Sequence, residues 1–106
     1  MNINFSIILP CYNESSNIHE LYKELIALQA NNFFFEVIFV NNGSTDETGT
    51  KIDQIIENLS ESNIQNFIIT KLDLKLNQGY GGGILEGLKV AKGEFIGWTH
   101  ADLQTP

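Results

Sequence analysis

At 106 residues the chain can bury one small core and is too short for two independent domains. A hydrophobic share of 42% beside 18% charged residues excludes a disordered chain. The formal charge is −7 and all six basic residues are lysines, so the chain has neither a basic face for nucleic acid nor an arginine clamp for phosphate. A phosphate ligand would have to be held by helix N-termini, backbone amides, a lysine or a metal ion. The single Cys11 cannot close an internal disulfide or build a cysteine metal site, and it fits a reducing, cytoplasmic compartment. No apolar run approaches the ~20 residues of a membrane span. The short run Phe5 to Leu9 has no basic stretch before it, unlike a signal peptide. Pro106 follows directly on a polar, site-like segment, which reads as a piece of a longer protein.

In chain order, Asn4 to Leu9 reads as a buried strand stopped by Pro10. After the polar Cys11 to Ser16, the residues Ile18, Leu21, Tyr22, Leu25 and Leu28 repeat at helical spacing to about Ala30. Phe33 to Val40 is a dense apolar run, too short for a lone helix and therefore a strand. Asn41 to Asp46 follows, with Ser44 and Glu47 spaced as a capping box before a helix carrying Ile52, Ile55, Ile56 and Leu59. A third strand lies within Asn63 to Leu76, centred on Phe67 to Thr70, and the alternation of Leu72, Leu74 and Leu76 could extend it. Gln78 to Gly83 reads as a loop feeding a short helix with Ile84, Leu85, Leu88 and Ala91, ended by Gly93 as a C-cap. Glu94 to Trp98 is the fourth strand, and Thr99 to Gln104 the loop after it. Trp98 and the cluster Phe33, Phe34 and Phe35 are expected in the core.

The order β-α-β-α-β-α-β calls for an α/β fold with an open, mostly parallel sheet and right-handed crossovers. The unusual polar segments all follow the carboxyl ends of strands, so they gather at the edge where such sheets bind ligands. Three common occupants of that edge do not fit. The first loop has no glycine, against the dinucleotide fingerprint, and no P-loop sequence is present. Glu14 and Asp73 stretch poorly to a phospho-acceptor pattern, because no lysine follows a later strand.

In the fourth loop His100, Asp102 and Gln104 stand at alternate positions, which in an extended segment project to one side. Imidazole, carboxylate and amide oxygen could then meet one divalent cation, which an acidic chain without arginine needs to neutralise a diphosphate. The alternative is a polar surface turn that happens to contain an aspartate.

Taken in order, Ile7 to Glu14, Val40 to Asp46, Asn77 to Gly79 and Ala101 to Gln104 resemble family 2 glycosyltransferases of the GT-A fold. The branch they look most like contains dolichyl-phosphate mannose synthases and bacterial polyprenyl-phosphate sugar transferases. The resemblance spans essentially the whole chain and implies the N-terminal, nucleotide-sugar-binding half of such a domain. The catalytic base would then lie beyond Pro106, and residues 1–106 alone would be inactive. It implies a transfer from a nucleotide diphosphate sugar to an acceptor such as polyprenyl phosphate, in cell-wall or polysaccharide building, with Mg or Mn as cofactor. Pro10, Tyr12, Glu14, Val40, Asn42, Gly79 and Ala101 would contact the nucleotide. Asp102 would be the main metal ligand, with His100 and Gln104 beside it. The full-length protein would work in the cytoplasm or at the inner face of the membrane, and an exposed sheet edge could pair with a second copy.

The sequence departs from the family pattern at three places. Asn41 and Asn42 replace a pair of aspartates, so a base contact at Asn42 loses charge assistance and the choice between uracil and guanine is open. Tyr80 stands where many relatives have Lys or Arg. His100 replaces the first acid of the Asp-x-Asp motif, and imidazole suits Mn or Zn better than Mg. For Glu14 an acid favouring the positive end of the next helix remains an alternative. Asn13 reads as a cap, Ser44, Thr45 and Asp46 as structural capping residues, and Cys11 as filler. A hinge is the alternative for Gly81 to Gly83. For the whole chain the alternative is a non-catalytic nucleotide-sugar-binding or interaction domain.

Overall fold

A computed structural model describes residues 3–28 and 33–99. The elements are β1 (Phe5–Cys11), α1 (Ile18–Leu28), β2 (Phe35–Asn42), α2 (Thr48–Ser60), β3 (Phe67–Leu74), α3 (Gly79–Leu88) and β4 (Phe95–Trp98). The four strands form one all-parallel sheet in the order β3-β2-β1-β4. The expected α/β class and parallel sheet are therefore present.

Side-chain alternation divides the core between the two faces of the sheet. Leu9 and Cys11 of β1 with Phe35, Val37 and Phe39 of β2 pack against Ile18, Leu21 and Leu25 of α1 and Ile52, Ile55 and Leu59 of α2. On the opposite face Ile8, Ile38 and Val40 pack with Leu72, Leu74, Leu88 and Ala91. Two helices thus cover one face and α3 the other, which places the start of α3 beside the even-numbered residues of β2. Each fully buried Ile, Leu or Phe contributes about 1.5–3 kcal/mol of transfer free energy. Phe35 and Phe67 add a stacked ring pair with centroids 4.6 Å apart.

Several boundaries move for identifiable reasons. Pro10 does not stop β1, which runs to Cys11. Ile8 accepts the N–H of Thr99 on the β4 side, so Pro10, two residues on, also faces that side. The last pair there is Ile8–Trp98, so the N–H that proline lacks has no β4 partner to lose. β2 starts at Phe35 and continues through Asn41 and Asn42, whose side chains find partners at the sheet edge. β3 extends to Leu74, as the leucine alternation allowed.

The capping box does not form: α2 starts at Thr48, and the acceptor for the Thr48 N–H is the Asp46 carboxylate at 2.9 Å. The glycine run is not a loop before α3 but its first turns, and α3 ends at Leu88. Gly93 therefore caps nothing. A Cβ there would lie 2.6 Å from the backbone of Phe5 and Ser6, so this glycine lets the α3–β4 connection lie directly on β1.

The aromatic expectation holds only for Phe35. Phe33 is 51% exposed with its ring edge-on to Phe5, and Trp98 is 54% exposed on a strand with no buried residue. The predicted end of α1 at Ala30 lies outside the described residues.

Candidate functional site

The first two loops at the carboxyl edge are tied to each other. Asn13 adopts a left-handed backbone with φ 52°, which asparagine tolerates better than most residues. Its N–H donates to Ser44 Oγ at 3.1 Å, and its Oδ1 accepts from the Thr45 N–H at 2.9 Å. Asn13 is thus a bridge between loops, not a helix cap. Glu14 N–H donates to Thr48 Oγ1 at 2.9 Å, and Ser15 N–H donates to Asp46 Oδ2 at 3.4 Å. The Thr48 hydroxyl also donates to Asp46 Oδ1. Partial desolvation pushes the Asp46 carboxyl up, but the bonds from Thr48 and Ser15 outweigh it and hold the group below its ordinary value.

The second and third loops meet at Asn42, which is 3% exposed. Its Oδ1 accepts from the Gln78 N–H at 2.9 Å and its Nδ2 donates to the Gly79 carbonyl at 2.8 Å. Gly43 follows with φ 69°. A Cβ on Gly43 would lie 2.6 Å from the Leu76 carbonyl carbon and closer still to the Asn77 nitrogen. Only glycine meets both demands.

Asn41 points to the other face, where its Nδ2 donates to Asp73 Oδ1 at 2.9 Å while its own Oδ1 is buried without a partner among the described residues. Lys71 lies between Asp53 at 2.8 Å and Asp73 at 3.2 Å. The hydrogen bond to Asp53, reinforced by Asp73, raises the Lys71 ammonium above its ordinary value against the opposing effect of burial. Asp73 is thereby committed to Lys71 and Asn41.

The expected nucleotide contacts fall into two sets. Pro10 and Val40 are buried beneath the edge, and Val40 is fully enclosed. Tyr12 is 47% exposed, and Glu14 is half-buried with its Oε2 accepting from Asn17 Nδ2 at 2.8 Å. At the same carboxyl edge α3 begins with glycine at four of its first five positions. A Cβ added at Gly79 or Gly81 would meet nothing within 4 Å, so that backbone is open to a ligand. Cys11 is fully buried with its thiol directed at the Leu9 carbonyl, and burial, helped by the Glu14 charge, pushes that thiol up. It is filler, as its sequence context suggested.

β4 ends with the Thr99 N–H donating to the Ile8 carbonyl at 3.2 Å, so the fourth loop departs from the same edge. His100, Ala101, Asp102 and Gln104 lie outside the described residues. Among the described residues no group of three or more His, Cys, Asp or Glu could hold a metal. The carboxylates at this edge, Glu14, Asp46 and Asp73, each already accept from protein donors.

A parallel sheet with helices on both faces, its loops leaving one carboxyl edge beside a glycine-rich helix start, defines the class as an open α/β fold. The description "Glycosyl transferase family 2" matches residues 6–106, and the chain belongs to that family. It is 35% identical to an uncharacterized glycosyltransferase, YkcC, of Bacillus subtilis, over 99% of this chain and 31% of that protein. It is 30% identical to the dolichyl-phosphate beta-glucosyltransferase of Dictyostelium discoideum, over 95% of this chain and 31% of the relative. Among solved structures, S. aureus TarS 1-349 in complex with UDP-GlcNAc is 35% identical with a TM-score of 0.66, covering 94% of this chain and 27% of that one. The mannosyltransferase PcManGT of Pyrobaculum calidifontis, solved with GDP-Man and Mn2+, superposes with a TM-score of 0.77 at 24% identity, over 96% of this chain and 28% of its own. The latter shows the shared GT-A fold. The chain spans under a third of the length of these relatives. No helix among the described residues is long and apolar enough to cross a membrane.

Proposed function

We propose that residues 1–106 form the nucleotide-sugar-binding half of a glycosyltransferase that moves a sugar from a nucleotide diphosphate sugar to an acceptor. The observation that carries the reading is that exposed Tyr12, half-buried Glu14 and the open backbone of Gly79 and Gly81 all follow the carboxyl ends of strands in one parallel sheet of a family 2 chain. Tyr12 offers a flat ring to the base, and Glu14 an acceptor for base or ribose donors. We assign Pro10 and Val40 to the floor beneath the nucleoside, Asn42 and Gly79 to the phosphate side, and Ala101 to a further nucleotide contact. The start of α3, bare of side chains at Gly79 and Gly81, is the part of the backbone we assign to the diphosphate.

Asp102 is the residue we assign to a divalent metal, with His100 and Gln104 alongside. When bound, the metal neutralises charge on the departing nucleotide diphosphate. A polyprenyl phosphate is the proposed acceptor, in keeping with the named dolichyl-phosphate relative. We assign the general base to sequence outside this chain, since Glu14 serves the nucleoside side and His100 the metal. A non-catalytic nucleotide-sugar-binding domain is the second reading, favoured by the replacement of both acids by Asn41 and Asn42.

Titration calorimetry with UDP and GDP, with and without Mn, tests the first reading. One of the two should bind, more tightly with Mn, and Asp102→Ala should abolish the Mn effect. Failure of both nucleotides to bind in the presence of Mn would sink the proposal. Transfer of radiolabelled sugar to polyprenyl phosphate by a longer chain containing this one separates enzyme from binding domain.

A further inference from the structure

Asn42 makes a contact that a carboxylate at its position could not make. Its Nδ2 donates to the Gly79 carbonyl, while its Oδ1 accepts from the Gln78 N–H. An aspartate would keep the second bond and set a negative oxygen against the Gly79 carbonyl. The amide sits 3% exposed between β2 and the start of α3, so water does not readily replace either bond. Packing holds it from above as well. A Cβ on Gly83 would come 2.9 Å from the Asn42 Nδ2 and 3.2 Å from the Pro10 side chain, so the first turns of α3 rest directly on Asn42 and Pro10. Asn77 Oδ1 accepts the Gly79 N–H at 2.7 Å, which completes the turn that Asn42 anchors.

From this geometry we infer that Asn42 is a positioning residue for the diphosphate: it fixes the Gln78–Gly79 turn, and with it the open backbone of α3. At this position the amide is the functional group, and a carboxylate does not substitute for it. The inference rests on the nucleotide-site reading above and sharpens it, because it separates the phosphate side of the site from the base side. A direct contact to the base would weaken every nucleotide equally. Positioning of α3 weakens only what the diphosphate adds.

The test compares UMP with UDP and GMP with GDP by calorimetry, in the wild type, Asn42→Asp, Asn42→Ala and Gly83→Ala. The wild type should bind the better diphosphate more tightly than its monophosphate. In Asn42→Asp the diphosphate affinity should fall about fivefold, the loss of one net hydrogen bond, with the monophosphate affinity unchanged. Retained monophosphate binding reports that the fold survives. Gly83→Ala leaves Asn42 in the sequence but pushes its amide off Gly79, and it should reproduce the same split. Amide hydrogen exchange at residues 78–83 should quicken in all three variants. Equal weakening of mono- and diphosphate in Asn42→Asp, or no change in either, overturns the inference and leaves the nucleotide site standing. A wild type that binds none of the four nucleotides overturns the nucleotide-site reading, and the inference with it.

Discussion

Ser6 and Glu36 face each other in register across β1 and β2, and the serine hydroxyl donates to Glu36 Oε2 at 2.6 Å. Both are almost fully buried, at 1% and 3% exposure. The same carboxylate oxygen accepts the Lys92 N–H at 2.6 Å, and Ser6 Oγ accepts the Gly93 N–H at 2.7 Å. A polar pair inside the sheet therefore holds the connection between α3 and β4 at the edge opposite the candidate site. Ser6→Ala should cost about 1–3 kcal/mol, because it leaves the half-buried Gly93 donor unpaired and takes a donor from the buried Glu36 carboxylate. Urea unfolding measures it, and an unchanged midpoint would show that the pair does not hold the connection.

Gly43 ends β2 at a point where the backbone of Leu76 and Asn77 leaves no room for a side chain. Gly43→Ala should destabilise by more than the ~1–2 kcal/mol of a left-handed residue alone, since the steric overlap adds to it. It should also displace the third loop, so nucleotide affinity should fall with thermal stability. A Gly43→Ala protein with wild-type melting would contradict the tight turn described here.

Phe67 is 2% exposed and stacks on Phe35 at the start of β3. Phe67→Ala should lose about 3–5 kcal/mol, the range for a buried ring replaced by a cavity. Phe95→Ala, on a ring 65% exposed, should lose much less. Denaturation curves of the two variants side by side decide the matter.

Asp46 carries a pH dependence of known sign. Its carboxyl is held below the ordinary value by hydrogen bonds from Thr48 and Ser15 that outweigh partial desolvation. The folded state therefore prefers the ionised form, and the stabilisation is present in full above the unfolded carboxyl value of about 3.9. It is lost as pH falls through the lower folded value. Asp46 is exposed, so the effect is small and screened by salt. Asp46→Asn should flatten the acid limb of stability against pH and leave the limb above neutrality unchanged. Identical acid limbs in both proteins would remove Asp46 from the account.

Periodicity was enough to read the seven elements and their parallel arrangement, because β-branched strands and amphipathic helices alternate without interruption. It failed where tertiary contacts decide. Gly93 looks like a helix end in sequence, yet its function is to let one backbone lie on another, and no local signal carries that. Phe33 and Trp98 are apolar enough for a core but belong to the sheet's end and edge, where few elements pack against them. Of the candidate site, the gathering of the polar loops at the carboxyl edge of the sheet was legible from the order of the elements. The bridge at Asn13, the double bond of Asn42 and the buried Ser6–Glu36 pair were not. Each joins residues more than twenty-five positions apart, and only the folded chain brings those together.

The position of β4 bears on how the chain reaches this state. β1, β2 and β3 are neighbours in sequence and in space, so each pairing closes only one helix-length connection. β4 instead returns across the sheet to pair with β1, joining Phe5 to Phe95 near opposite ends of the described chain. Closing so long a loop costs more entropy than closing a short one, and non-local parallel pairing is intrinsically slow. On a ribosome, β1 emerges early and keeps one flank open until almost all of residues 3–99 have been made. Among the four described strands, the one that leads into the fourth loop is thus the last to be made, and it docks on a flank of β1 that the earlier pairings leave open.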